Sequence, residues 1–261
     1  MPAMITGRTL LRKPLPPLDV GPYHTTSSAL HEGRFLGTLH NWPNFFQDVK
    51  QFENNQDWSP RLLGWSLQNR MVDAEFVAMG DEHGIQGRFQ QSVGQVVGSV
   101  LNAQNIAVKF GDFRSADIAS VYPGYTLMPD VALISTDPVD INQIKAVGEL
   151  KSPWVNEHKF KKYSTAQRKA KLFAQPIGYM LDLQLRYGFM SNYDDTVFLR
   201  QVFKNGEWVV EYSPVVEASF DGSDTMGNEP PSLRQCFAYL SSLASVQPFV
   251  DNSTPRDNWI G

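Results

Sequence analysis

The run PDVALISTDPVDINQIKAVGELK, residues 129–151, decides the fold. Pro129-Asp130 opens an apolar stretch, Val131 to Ile134, and a second apolar stretch, Ile144 to Val147, leads into Glu149-Leu150-Lys151. Short apolar runs bounded by turn residues read as buried strands. Side chains alternate along a strand, so Glu149 and Lys151 point to one side while Leu150 turns to the opposite, apolar side. Asp130, Glu149 and Lys151 are therefore expected in one small volume. Such a cluster can hold a hard divalent cation and leave a cationic head beside the water or phosphate bound to it.

Outward from this run, 261 residues with 42% hydrophobic and 19% charged side chains supply one sizeable core, and one main domain is expected over residues 41–247. A formal charge of −4 argues against coating nucleic acid by bulk electrostatics, and leaves room for a local basic patch. The single cysteine, Cys236, excludes an intramolecular disulfide framework and a cysteine-rich zinc site. Met1 to Pro17 carries Arg8, Arg12 and Lys13 but no apolar segment of signal length, and no stretch approaches a membrane span. The expectation is an intracellular protein with no membrane partner, nuclear or cytoplasmic.

Residues 1–40, rich in Pro, Gly, Thr and Ser, read as an irregular N-terminal arm, and residues 248–261 as a C-terminal tail. Phe45, Phe46, Val49 and Phe52 are spaced for a short amphipathic helix after Trp42-Pro43, and a longer helix is expected from about Asp81 to Asn102. Gly94 and Gly98 within it suit close helix packing. A strand over Ile106 to Phe110 and the two apolar runs then build half of a sheet, an α/β order. Lys159 to Met190 reads as one long helix or two abutting ones, with Phe173, Ile177, Met180, Leu181 and Leu185 facing a core. The runs Thr196 to Phe203 and Trp208 to Tyr212 flank Asn205-Gly206, whose residue types suit a tight hairpin turn. A final helix is expected over Ser232 to Ser245.

On the helix after the lysine, Gln175 and Tyr179 are four apart and share a face, with Asp182 and Arg186 continuing it. An amide and a phenol there can bond phosphate oxygens, ion-bound waters or a neighbouring catalytic side chain, and equally suit polar positions on a core helix. Just before them lie Lys159, Lys161, Lys162, Arg168, Lys169 and Lys171, interleaved with Phe160, Tyr163 and Phe173. Basic heads neutralise backbone phosphates and aromatic rings stack on unpaired bases; the plainer alternative is a solvated helix face.

Pro129-Asp130, then Glu149-Leu150-Lys151 after 18 residues, then Gln175-Pro176-Ile177-Gly178-Tyr179 together resemble the PD-(D/E)XK phosphodiesterase superfamily in its RecB-type form with a downstream Q-x-x-x-Y. The stretch from Gly148 to Gln201 is also similar to nuclease-like domains of fungal proteins. The resemblance spans roughly residues 75 to 215. It implies a restriction-endonuclease-like core, a central mixed β-sheet flanked by helices, with a Mg²⁺ or Mn²⁺ site at one edge. By motif, Asp130 and Glu149 would be metal ligands, joined by the Leu150 carbonyl and by an early helix acid, Glu82, with Glu75 as runner-up. Lys151 would orient the attacking water or stabilise developing charge, and Gln175 and Tyr179 would support the lysine or the substrate backbone.

A metal-dependent nuclease acting on DNA or RNA is thus the leading expectation. Alternatives are a catalytically silent nuclease-fold module that binds nucleic acid or a protein, and a phosphohydrolase acting on a nucleotide or a modified nucleic-acid end. Whether the chain pairs as a homodimer is open. Other chemistries lack their motifs. His24, His31, His40, His83 and His158 show no paired metal spacing, Asp112-Phe113-Arg114 lacks the glycine of a kinase D-F-G, and no phosphate loop or nucleophile elbow occurs.

Overall fold

The strands expected from the quoted run lie side by side and antiparallel, every residue of both buried, in a computed structural model describing residues 3–26, 33–65, 77–163, 165–223 and 229–261. In chain order the elements begin with β1 (Ala3–Thr6), α1 (Gly7–Arg12), β2 (Leu39–Asn41), α2 (Phe45–Asn55), β3 (Leu62–Trp65), α3 (Glu82–Phe89) and α4 (Gln95–Ala103). They continue with β4 (Val108–Gly111), α5 (Ile118–Val121), β5 (Val131–Ser135), β6 (Ile144–Leu150), α6 (Ala166–Leu172) and α7 (Ala174–Asp182). The series closes with β7 (Tyr187–Ser191), β8 (Asp195–Lys204), β9 (Glu207–Tyr212), β10 (Val216–Glu217) and α8 (Leu233–Val246).

The chain is α/β, with a large mixed sheet ordered β2-β9-β8-β7-β6-β5-β4 and β10 added alongside β8. The β6/β7 and β2/β9 pairs are parallel and the others antiparallel. Alternation along the strands sorts the core into two layers. Val131, Leu133, Leu150, Phe189 and Phe198 face a layer shared with α1, α2, α3, α4 and α8. Ala132, Ile134, Val147, Met190 and Val197 face the α7 side. No helix among the described residues is long and apolar enough to cross a membrane.

Four expectations are borne out closely. The hairpin β8/β9 turns at Asn205 and Gly206, both with positive φ (52° and 86°), the conformation that Asn-Gly adopts at least cost. Helix α2 takes in all four spaced positions, Phe45, Phe46, Val49 and Phe52, and α8 starts at a capping box in which Ser232 and Gln235 satisfy each other's backbone N–H groups. The long helix from Asp81 is present as α3 and α4 joined by a π-helical turn, Gln90–Gly94. A side chain at Gly94 would collide with Gln90, which spends its own amide on the Gly111 carbonyl; at Gly98 space is open, so packing accounts for only one of the two glycines.

Three others are corrected. The helix expected from Lys159 to Met190 is only α6 and α7, after two short 3-10 turns, and Tyr187–Ser191 is a central strand. The break comes at Gln184, which takes a left-handed φ of 52° and holds it by bonding the Leu181 and Asn252 carbonyls. The N-terminal arm is not irregular throughout: it opens with β1 and α1, whose Leu10 and Leu11 are buried against α4 and α8. Within residues 14–26 the arm is bonded down, with Val20 bridging Met79 and Tyr193 Oη donating to the Pro16 carbonyl. The C-terminal tail is also docked. Trp259 is 3% exposed and meets Phe35 edge-on, while Arg34 and Gly261 exchange backbone hydrogen bonds.

Gly148 sits under the Phe189 ring of the neighbouring strand, so a Cβ there would overlap ring carbons directly. Replacing it with alanine is expected to destabilise the fold by about 2 kcal/mol or more, the cost of overpacking a rigid aromatic, read as a drop in urea midpoint. An unchanged midpoint would show that Phe189 can move aside.

Candidate active site

Asp130 stands at the head of β5 and Glu149 near the end of β6. The Leu150 N–H donates to Asp130 Oδ2 at 2.8 Å, which clamps the two strand ends together. Leu150 sends its side chain into the opposite core layer. On the helix side, Asp81 caps α3 by accepting from the Gly84 N–H at 2.9 Å, and Glu82 follows in the first turn. Gln86, one turn on and on the same face as Glu82, donates to the Asp130 carbonyl at 2.6 Å. The arm braces the approach to this helix: Gly21 donates to the Met79 carbonyl and Thr25 to that of Gly80.

The expected convergence is present. Oxygens of Glu82, Asp130 and Glu149 lie within 4.8 Å of one another. Lys151 Nζ donates to Glu149 Oε1 at 2.6 Å and to Glu82 Oε1 at 3.1 Å. The floor is dry and the rim is wet: Glu149 is 3% exposed and Lys151 6%, whereas the Glu82 side chain is 45% exposed. The second oxygen of Glu149, Oε2, is buried without a hydrogen bond. Glu75 lies outside the described residues.

Burial, and then the Asp130 charge, push the Glu149 carboxyl up to about 8, with Lys151 opposing. Asp130 is also raised, by burial first and by Glu82, against the stabilising Leu150 N–H. Burial works against the charge on Lys151, but Glu149 and Glu82 outweigh it and hold the ammonium above the usual lysine range. Crowded acids, one strained upward with an orphaned oxygen, are poised to accept positive charge.

Gln175 and Tyr179 share a face of α7 as expected, with Gln175 Nε2 donating to Tyr179 Oη at 2.8 Å. Burial and the nearby Glu149 raise the phenol, which therefore keeps its proton. Tyr179 faces Glu149 electrostatically without closing a geometrically sound hydrogen bond to it. The face stops there. Asp182 ends α7 and pairs with Arg256, and Arg186 lies beyond the helix with its guanidinium toward the Phe249 carbonyl.

The basic segment divides. Lys159 lies between the two 3-10 turns, Lys161 and Lys162 are in the second, and Arg168, Lys169 and Lys171 sit on α6. Lys161 is spent in part on Glu217 at 2.9 Å, and Lys162 bonds Asn156. Phe160 and Phe173 are buried in the core, so of the interleaved rings only Tyr163 is partly exposed. Sequence reasoning missed Gln86, whose only signal was its spacing of four from Glu82. His158, named in the sequence only among the unpaired histidines, is a buried ring that bonds the Ser152 carbonyl through Nδ1, and burial lowers its pKa. No protein-family model, curated protein or solved structure matches the chain.

Proposed function

We propose that the chain is a metal-dependent nuclease, and that its sheet and acidic helix start form a restriction-endonuclease-like core. The observation that carries this reading is the convergence of Glu82, Asp130 and Glu149 beside Lys151, with Glu149 Oε2 left without a partner. An all-oxygen, acid-rich set fits Mg²⁺ or Mn²⁺ rather than a soft metal. Glu149 Oε2, the free oxygen of Asp130 and the rim carboxylate of Glu82 would hold the ion. When bound, it supplies neutralising charge for a phosphodiester and acidifies a water.

The remaining work falls to the chain's own side chains. Lys151 has three N–H donors and spends two on carboxylates, leaving one for a phosphate oxygen or a water beside Glu149. Being held charged in a buried floor, it stabilises negative charge developing on phosphorus without reorganising. Tyr179, oriented by Gln175, presents a protonated hydroxyl on the α7 side. Gln86 fixes the Asp130 backbone, and the open Glu82 rim admits a polyanion.

Purified protein with Mg²⁺ or Mn²⁺ is expected to cleave DNA or RNA, and Asp130→Asn to lose at least about 10³-fold in rate. Asparagine keeps an acceptor for the Leu150 N–H, so the fold should survive. Equal cleavage by the variant would end the proposal. Ion binding without cleavage of any polymer or small phosphoester would identify a silent binding module.

A further inference from the structure

On the Glu149 face of the sheet a second feature lies in line with the carboxylates. Glu149 pairs with Met190 on β7, and Met190 with Val197 on β8. Directly paired residues share a face, so Val197 stands two strand spacings, roughly 10 Å, from Glu149. Val197 is in the wall of a cavity of about 560 Å³. That volume is nucleotide-sized.

The lining is aromatic below and polar at the mouth. Phe160 and Phe173 form a buried floor, and Tyr163 and Tyr212 are half-buried at the sides. Among the described residues Tyr163 stacks on no other ring. Lys169 stands 4.4 Å from the centre of the Tyr212 ring and donates to its hydroxyl at 2.9 Å, placing a cation beside the opening. Asn41 and Asn44 are exposed on the rim and, among the described residues, make no side-chain hydrogen bonds. A purely aliphatic ligand would have no use for the lysine and two open amides. A planar heteroaromatic ring on a phosphate backbone uses all three: ring faces for stacking, amides for base edges, the ammonium for phosphate.

We propose that this cavity seats one unpaired base of the strand whose phosphate lies at the carboxylates, so that the substrate is a single strand or a frayed end. The inference rests on the nuclease reading and adds its substrate class. A base inside an intact duplex is stacked and cannot enter such a cavity.

The test is equilibrium binding by the full chain in EDTA, so that nothing is cut, with labelled DNA and RNA single strands, their duplexes and abasic single strands. Single strands of at least one polymer are expected to bind about ten-fold tighter than duplex or abasic strands. Tyr163→Ala is expected to erase that preference and Tyr163→Phe, which loses only the hydroxyl bond to the Glu157 carbonyl, to keep it. Lys169→Gln is expected to lower the salt dependence of binding by about one phosphate contact. Equal binding of single strands and duplexes, or a Tyr163→Ala protein that keeps the preference, overturns the cavity assignment and leaves the nuclease reading standing. Wild-type protein that binds no nucleic acid in EDTA and cleaves none with Mg²⁺ or Mn²⁺ overturns both.

Discussion

Replacing Glu149 by glutamine is expected to abolish divalent-ion-dependent cleavage and, in the same protein, to make the ion-free fold more stable at pH 8. The two effects have one origin. Burial, followed by the Asp130 charge, lifts the folded-state value to about 8 from an ordinary 4.5. Between those values the folded chain holds a proton that the unfolded chain has lost, so stability falls as pH rises through that window. The penalty above it is on the order of a few kcal/mol. An amide has no such slope, and Lys151 keeps Glu82 as partner. Urea midpoints at pH 5 and pH 8 in EDTA, for wild type and variant, check the sign. A glutamine protein that is weaker at pH 8 would mark Glu149 as a plain structural ion pair.

The second large effect is at Lys151. Lys151→Met keeps the length and apolar stem of a residue that is 6% exposed, and is expected to cut cleavage by about 10²- to 10³-fold while leaving Mn²⁺ binding intact at pH 8.5. The ammonium bonds two of the three acids, so its loss frees oxygens for an ion rather than removing them. Asp130→Asn should lose binding and cleavage together. Were Lys151→Met to lose both as well, the lysine would be a support for the carboxylates and not a participant in the reaction.

The site was legible because its chemistry sits at strand ends. Asp130, Glu149 and Lys151 are bracketed by apolar runs whose period of two dictates the face, and the α7 pair follows from a spacing of four. The Asn205-Gly206 turn was legible for the same local reason. What escaped was decided by distant contacts. The apolar spacing of α7 continues through Leu185 into Tyr187–Ser191 with no Gly or Pro at the break, because Gln184 takes the left-handed turn on the strength of bonds to Leu181 and Asn252. The arm's β1 is ordered by pairing with Leu62–Trp65, some 60 residues away. Phe173 is in the core as its spacing predicts, but Phe160, read with the basic residues as a stacking ring, is taken up by the core as well. Gln86 acts on a backbone carbonyl 44 residues away, a partner no local pattern announces.

The most direct measurement is a calorimetric Mn²⁺ titration at pH 7 in two buffers of different protonation enthalpy. With burial pushing Glu149 up to about 8, ion binding is expected to displace its proton. Saturable binding with release of close to one proton per ion, both absent in Asp130→Asn, is the predicted result. No saturable binding, or binding that releases no proton and is unchanged in Asp130→Asn, would contradict a metal site built from Glu82, Asp130 and Glu149.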